Sequence, residues 1–415
     1  MSIINKVKGR QIFDSRGNPT VEAEVILQDG SIGRAIVPSG ASTGRHEAHE
    51  LRDKNKDYLN KSVFKAVENI NYIISKALTG KGSTHQSKID ETLINLDGTD
   101  NKSKIGANAI LAVSIANLKA AAKFSKRDIY RYINKGGMNN IYESETSKPP
   151  KDKTPEFFIP YPLMNIINGG AHANNSIEIQ EFMIRPDKAK NFQECMRISF
   201  LIIQNLKKNL ENMKISTSVG DEGGFAPSLK SDEAAIEIIM KSIISAGYKP
   251  GKDVSICLDI AANELKKPKD VDYFLELVKK YPIKSIEDPF SEDDWESWKK
   301  LSQKTNVQIV GDDLFVTNKK RLEKGIKEKS ANAILIKPNQ IGTVSETLET
   351  VKLAHSSGLN TIISHRSGDS EDTFIADLAV ATNSSQIKTG SLARSERVAK
   401  YNRLLRIEEE LGNKA

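Results

Sequence analysis

The chain has 415 residues, of which 38% are hydrophobic and 28% are charged, and this balance is typical of a globular protein with more than one hydrophobic core. The formal net charge of +7 does not by itself indicate a nucleic-acid-binding protein, because the lysines are interleaved with glutamates and no basic run carries stacking aromatic residues. No run of about 18 apolar residues occurs, which excludes a helical membrane span.

The first part of the chain, residues 1–138, is predicted to form an α+β domain. Residues 19–39 alternate apolar and polar side chains on both sides of Asp29-Gly30, which predicts a β-hairpin with a tight turn. Three segments of helical period follow, at residues 62–78, 85–96 and 105–124. Strands that precede a group of helices are typical of an α+β domain.

The best candidate for a domain boundary is the polar segment 135–156, which is rich in Gly, Pro and Lys. From residue 155 to residue 415, short apolar strands alternate with amphipathic helices, which predicts a parallel sheet built from βα units. Their number and the length of this part of the chain favour a (β/α)₈ barrel over an open sheet.

Polar residues end six of the predicted strands. They are Asp259; Glu287 and Asp288; Asp312 and Asp313; Lys337; His365, Arg366 and Ser367; and Lys388. In a barrel of this kind the carboxyl ends of the strands meet at one mouth, where active sites lie. We therefore expect these side chains to converge on a single site.

Asp259, Glu287 and Asp312 form an all-oxygen set that suits Mg²⁺. Any one of these acids could instead cap the following helix or pair with a lysine. Three acids at successive strand ends favour a metal site over that alternative.

Two lysines flank the acids. A lysine that is partly desolvated and lies near another cation loses its proton more easily, so Lys337 beside Lys388 is a candidate base; the alternative is a salt-bridge role. Arg366 and Ser367 offer a forked donor and a hydroxyl group, which suit a phosphate. Taken alone, Arg366 could be part of a structural ion pair and His365 a hydrogen-bonded core histidine.

Glycine-rich loops add further candidates. Residues 218–227 present Glu222 and residues 168–175 present His172, whereas the loop 39–44 lacks the lysine of a phosphate-binding P-loop. Turns are the usual reason for glycine, so each loop alone is weak support. Together the residues suggest a β-elimination, in which metal ions polarise a carboxylate, a lysine removes the neighbouring proton and Glu222 protonates the leaving oxygen.

Many motifs, in order from Gly9 to about Gly412, resemble the enolase family, whose members interconvert 2-phosphoglycerate and phosphoenolpyruvate in glycolysis and gluconeogenesis. They are FDSRGNPTVE, VPSGASTG, GANAILAVS, MNIINGGAHA, QEFMI, GDEGGFAP, SIEDPF, GDDLFVTN, ILIKPNQIGT, SHRSG, IKTG and RIEEELG. The resemblance implies a TIM-like barrel of the enolase type behind an α+β domain, and a lysine base acting with Mg²⁺.

The resemblance also implies roles for individual residues. Asp259, Glu287 and Asp312 resemble the ligands of a tightly held Mg²⁺, and Ser42 resembles the contact to a second Mg²⁺ that arrives with substrate. Lys337 resembles the base at C2 and Glu222 the acid for the C3 hydroxyl group. The expected substrate contacts are His172, Gln180, Glu181, Lys337, Arg366, Ser367 and Lys388.

Assembly and departures from the family pattern follow from the same resemblance. It implies a homodimer, with Glu22 and Arg406 as partners across the interface. The segment 134–160 is longer than usual, the segment 265–281 is shorter, and Asp369 stands where glutamate is common. These differences bear on assembly and loop motion more than on chemistry.

Two alternatives stay open. Family members also capture host proteins such as plasminogen on cell surfaces, but the relevant lysine here, Lys414, is penultimate and not terminal. A superfamily member acting on a non-phosphorylated acid is disfavoured by Arg366, Ser367 and Lys388.

The only two cysteines, Cys195 and Cys257, suggest a reducing cytoplasm, with surface exposure requiring export without a signal peptide.

Overall fold

A computed structural model describes residues 2–41, 43–134 and 157–412. Its first part contains an antiparallel sheet in the order β1-β2-β3, with strands Ile4–Phe13, Pro19–Leu27 and Ile32–Ile36. The hairpin predicted around Asp29-Gly30 is confirmed, because β2 and β3 pair directly across it. Gly30 adopts a φ of 86°, which favours glycine. Strand β1 was not predicted.

Four helices of this part form where the sequence pattern predicts them. They are α1 (Phe64–Glu68), α2 (Ser75–Leu78), α3 (Gln86–Asp97) and α4 (Ala107–Phe124), with a π-helical stretch at Asn69–Ile74 between the first two. Helix α5 (Ile129–Asn134) was not predicted. Helix α4 packs very closely on the sheet. A Cβ atom on Gly33 would lie 2.0 Å from the carbonyl oxygen of Ala116, so this contact requires glycine.

The second part is a closed eight-stranded barrel surrounded by helices, which confirms the predicted fold class. Its strands are β4 (Tyr161–Asn168), β5 (Glu181–Arg185), β6 (Ser255–Asp259), β7 (Ile283–Glu287), β8 (Gln308–Gly311), β9 (Ala333–Ile336), β10 (Asn360–Ser364) and β11 (Gln386–Lys388). Its helices are α6 (Phe192–Asn212), α7 (Asp232–Ser245), α8 (Val271–Lys280), α9 (Trp295–Lys304), α10 (Lys319–Glu328), α11 (Pro338–Ile341), α12 (Val344–Ser356), α13 (Phe374–Ala381) and α14 (Ser395–Leu411).

One strand of the barrel runs against the others. Strands β6 to β11 pair in parallel, as the repeated βα units predict. Strand β5 pairs antiparallel with both β4 and β6. Its first residue, Glu181, therefore lies opposite Asp259, the last residue of β6, and reaches the same mouth as the strand ends.

Apolar side chains fill the barrel below that mouth. A cluster of fully buried residues occupies it: Leu163, Met183, Cys257, Val310, Ala333, Leu335 and Ile362. The barrel is therefore a packed core with a polar cup at one end.

Both cysteines are free and buried, and burial raises the pKa of each thiol to about 12.

Several predictions concern residues outside the described ranges. The boundary segment 135–156, the domain limits placed at 138 and 155, Ser42 and Lys414 all fall there. Within the described residues, Glu22 contacts Arg10 of the same chain and Arg406 is exposed. None of the described helices is both long enough and apolar enough to cross a membrane.

A buried carboxylate joins the first part of the chain to the barrel. Asp90 on α3 accepts hydrogen bonds from the Oγ of Ser114 at 2.6 Å and from the Nε2 of Gln86 at 3.0 Å. Its other oxygen accepts from the backbone N–H of Ser345, at the start of α12, at 2.9 Å, and from the hydroxyl group of Ser345 at 2.6 Å. Burial raises the pKa of Asp90 to about 6, although these donors oppose the shift.

We expect Asp90→Ala to lower the free energy of unfolding by about 3 kcal/mol at neutral pH, because buried donors lose their acceptor. The folded protein holds a proton on Asp90 up to about pH 6, whereas the usual value is 3.8. The contribution of Asp90 to stability thus falls as the pH rises through this window, so the loss should be larger near pH 4 than at pH 7. Denaturant unfolding measures both effects. The exposed Asp100→Ala is the control, and equal stability of the two variants would contradict the assignment.

Candidate active site

The predicted site residues converge on one cup at the barrel mouth. The cup is lined by His172, Gln180, Glu181, Glu222, Asp259, Asp312, Lys337, Arg366, Ser367 and Lys388, together with Ala261, Asp288, Asp313, Ser364 and His365. Glu287 lies directly behind it, in contact with Lys388. A larger groove, of about 790 Å³ beside α6 and α14, is lined by none of the predicted residues.

Lys388 lies at the centre of the carboxylates. Its Nζ is 2.7 Å from Asp259, 2.8 Å from Glu287 and 3.5 Å from Glu181. Burial would lower the pKa of this lysine, but the three carboxylates outweigh it and hold the pKa well above the usual value. Lys388 therefore neutralises part of a strongly negative site.

The second lysine of the cup, Lys337, forms an ion pair with one carboxylate, that of Asp312. Its Nζ lies 2.5 Å from the Oδ2 of Asp312, while the Oδ1 of Asp312 accepts from the Nε2 of Gln340 at 2.9 Å. Burial would lower the pKa of Lys337, but Asp312 outweighs it and the pKa is raised. In this state the nearest charged neighbour of Lys337 is an acid, which opposes loss of the lysine proton; its role as a base stays a prediction.

Glu181 and Glu222 form an acid pair around His172. The Nδ1 of His172 lies 3.4 Å from Glu181 and 3.7 Å from Glu222, and its Nε2 is 3.1 Å from the Oγ of Ser367. Burial, reinforced by the charge of Glu222, raises the pKa of Glu181. Burial raises the pKa of Glu222, but His172 and His365 outweigh burial and lower this pKa where they carry charge. In that state a proton shared by the two acids lies on Glu181 and not on Glu222.

The expected phosphate contact already holds an anionic group. The guanidinium of Arg366 contacts the two carboxylate oxygens of Glu47 at 2.9 and 3.1 Å and the Oδ1 of Asn339 at 3.2 Å. This forked arrangement is the one in which an arginine binds a phosphate. Glu47 was not predicted, because it lies in the first part of the chain and not at a strand end of the barrel.

The acids of the cup offer the oxygen ligands that a hard divalent cation prefers. The ligands of Mg²⁺ lie about 2.1 Å from the ion, hence within about 4 Å of one another. Among the described residues, the groups whose ligand atoms all lie within 4.8 Å are His46–Glu292–Asp293, His172–Glu181–Glu222 and Asp288–Asp312–Asp313. The predicted trio is not one of these groups, because ammonium groups hold its members.

Two observations still favour the trio as the ligands. The Oε2 of Glu287 is buried and has no hydrogen-bond partner among the described residues. Asp288, in contrast, uses both oxygens to accept the backbone N–H groups of Asp312 and Asp313, each at 2.8 Å. The oxygen donors of Asp259, Glu287 and Asp312 therefore fit Mg²⁺ once their side chains turn from the lysines.

Three further residues support the site and were missed from the sequence: Asn165, Arg397 and Lys400. The Nδ2 of Asn165, on β4, lies 3.3 Å from Glu222, and Arg397 on α14 contacts the segment that carries Arg366. The Nζ of Lys400 lies 2.7 Å from Asp369, which is noted above as a departure from the family pattern. Arg397 and Lys400 lie in a helix whose pattern gives no local sign of this role.

Comparisons with known proteins agree with these findings. The profile of the family "Enolase, N-terminal domain" matches residues 4–133. That of "Enolase, C-terminal TIM barrel domain" matches residues 156–276 and 266–415. A relative named "Enolase" from Pelagibacter ubique (strain HTCC1062) is 58% identical over 431 aligned positions, which cover 100% of this chain and 99% of the relative.

We expect Lys388→Met to lower the free energy of unfolding by about 3–5 kcal/mol in EDTA, because Asp259, Glu287 and Glu181 lose their shared counter-charge in a buried site. Thermal or denaturant unfolding measures the loss. Lys320→Met, on the exposed face of α10, is the control. Equal stability of the two variants would show that the carboxylates do not depend on Lys388.

Proposed function

The chain belongs to the enolase family, and we propose that it catalyses the reversible, Mg²⁺-dependent dehydration of 2-phosphoglycerate to phosphoenolpyruvate, with Lys337 as the base and Glu222 as the acid. As a member of this family the chain is a carbon–oxygen lyase, a phosphopyruvate hydratase. The observation that carries the proposed roles is the placement of an ammonium group, a carboxyl group and a forked guanidinium group around one cup.

Substrate binding follows from the charges of the cup. Arg366 and Ser367 bind the phosphate, so Glu47 has to release the guanidinium of Arg366 when substrate enters. Lys388 binds the substrate carboxylate. Gln180, whose Nε2 lies 3.3 Å from the Oδ2 of Asp259, lies beside it and orients the substrate.

The trio Asp259, Glu287 and Asp312 would hold one Mg²⁺, and Ser42 would contact a second that arrives with substrate. When bound, Mg²⁺ would polarise the substrate carboxylate and make the C2 proton more acidic. If Asp312 served as a metal ligand, Lys337 would lose it as a partner. The influence that raises the pKa of Lys337 would then weaken.

Lys337 in its neutral form accepts the proton from C2, and the electrons of that C–H bond pass first onto the substrate carboxylate and then form the C2–C3 double bond. Glu222 in its protonated form donates its proton to the C3 hydroxyl group, which leaves as water when the C3–O bond breaks. Lys337 ends protonated and Glu222 ends ionised, and both return to their starting states by exchange with solvent. Glu181 and His172 hold Glu222 in position and share its proton.

We also infer a homo-oligomer, at least a dimer. An exposed aromatic cluster, formed by Phe13, Tyr58 and Phe64, lies at the end of β1 with ring centroids 6.1 and 6.2 Å apart. Its rings are 57%, 46% and 45% exposed, and a contiguous apolar patch of this kind is typical of an interface. Glu22 and Arg406 remain the proposed charged partners. The buried free thiols support a reducing setting such as the cytoplasm.

We expect Lys337→Ala to abolish both phosphoenolpyruvate formation and exchange of the C2 hydrogen of 2-phosphoglycerate with deuterated solvent. Glu222→Gln should lower the rate of dehydration about 10²- to 10⁴-fold but retain C2 exchange, because the base remains. Absorbance and NMR measure the two reactions, and circular dichroism checks the fold.

The control is Lys320→Ala, which leaves both reactions unchanged. C2 exchange in Lys337→Ala at the rate of the unaltered protein would exclude Lys337 as the base. Loss of exchange in a folded Glu222→Gln would exclude the division of roles between the two residues.

A further inference from the structure

Helix α14 places a buried guanidinium directly behind the cup. The side chain of Arg397 is fully buried, and its nearest carboxylates, Glu396 and Asp369, lie 3.4 and 3.7 Å away. Its shortest contacts are instead to backbone carbonyls and to an imidazole ring. A buried arginine is costly unless its donors are satisfied. These acceptors take the Nη1 and Nη2 donors, whereas Nε has no hydrogen-bond partner among the described residues.

The guanidinium joins the two segments that carry the phosphate contact and the acid. Nη1 donates to the carbonyl of Arg366 and Nη2 to that of Ser367, each at 2.6 Å. Nη2 also donates to the carbonyl of Asp221, the neighbour of Glu222, at 3.3 Å. We call the segment of Arg366 and Ser367 the phosphate segment, and the loop of Asp221 and Glu222 the acid loop. The side chain of Arg397 therefore fixes the distance between the two.

Close packing leaves little room for this side chain to move. Gly390 has a φ of 77°, and a Cβ atom built on it would lie 2.6 Å from the carbonyl oxygen of Glu222 and 3.0 Å from the Cδ of Arg397. The backbone after β11 thus lies directly against the stem of Arg397. The position of the guanidinium is set by packing as well as by hydrogen bonds.

The same guanidinium determines which nitrogen of His365 carries the proton. Nη1 of Arg397 lies 2.6 Å from Nδ1 of His365. Since Nη1 can only donate, Nδ1 must accept and the ring proton lies on Nε2. Nε2 is 3.4 Å from the Oε2 of Glu222, without a hydrogen bond between them in this state. A second proton on the ring would make two N–H groups face each other.

The charged groups that face the ring agree with this arrangement. They are Glu222 from the acid loop, Arg397 from α14 and Asp369 from the segment after β10. Burial lowers the pKa of His365 to about 4, and Arg397 adds to that effect, while Glu222 and Asp369 oppose it. His365 is therefore neutral at the pH where the site works.

We propose that Arg397 is a positioning residue of the dehydration reaction: it holds His365 neutral, with the ring proton on Nε2 beside Glu222, and braces the acid loop against the phosphate segment. This inference rests on the function proposed above. A neutral donor stabilises the Glu222 carboxylate after its proton has left. A charged imidazolium at the same place would keep Glu222 ionised and deprive the reaction of its acid.

The test is a double-mutant cycle on kcat with Arg397→Met and His365→Gln. Arg397→Met removes the donor that faces Nδ1, and we expect kcat to fall about a hundredfold. Arg397→Lys keeps a charged donor, so we expect its kcat to fall only about tenfold. If Arg397 acts through His365, most of the effect of Arg397→Met disappears in the His365→Gln background.

The matched control lies on the same helix. Arg403 pairs with Asp377 at 2.7 Å and with Glu410 at 3.1 Å, away from the cup, so Arg403→Lys should leave kcat unchanged. Additive effects of Arg397→Met and His365→Gln would overturn the proposal, since a purely structural arginine would act independently of His365. If Arg397→Met does not fold, the cycle is run with Arg397→Lys.

A second measurement does not depend on turnover. In protein labelled with ¹⁵N-histidine, NMR without substrate should show His365 protonated on Nε2 only, with the signal assigned by its loss in His365→Gln. A ring protonated on Nδ1 would overturn the proposal. Absence of 2-phosphoglycerate turnover in the unaltered protein, with the expected NMR signal, would instead count against the proposed function alone.

Discussion

The concentration of buried negative charge at the barrel mouth is the constraint on which the rest of the structure depends. Asp259, Glu287 and Asp312 lie at the ends of neighbouring strands, and the ammonium groups of Lys388 and Lys337 hold them. A buried carboxylate without a partner costs several kcal/mol. The lysines therefore stabilise the folded protein through the same contacts that, in the proposed function, substrate and cation would displace.

The first part of the chain contributes to this balance from above the cup. Glu47 supplies the anion that occupies the guanidinium of Arg366, and Asp90 ties α3 to the barrel helix α12 through Ser345. If Arg366 binds the substrate phosphate as proposed, that binding would compete with a contact between the two parts of the chain. Substrate entry would then depend on the position of the segment that carries Glu47.

The sequence predicted the features that depend on a local residue pattern. It missed those that depend on contacts between residues far apart in the chain. Polar residues after apolar strands identified Asp259, Lys337 and Lys388, because parallel strands end at one mouth. The antiparallel direction of β5 has no signal in a period-two pattern, since a strand reads the same in either pairing. The raised pKa of Lys337 could not be predicted, because it follows from one contact with Asp312. Arg397 appears only as one more charged residue in a helical pattern.

The central claim is that the cup works through a divalent cation held by its carboxylates. Turnover of 2-phosphoglycerate by protein treated with EDTA, before and after addition of Mg²⁺, tests it most directly. The account predicts no phosphoenolpyruvate in EDTA, recovery with Mg²⁺, and little recovery in a folded Glu287→Gln variant. Equal turnover with and without EDTA would contradict it.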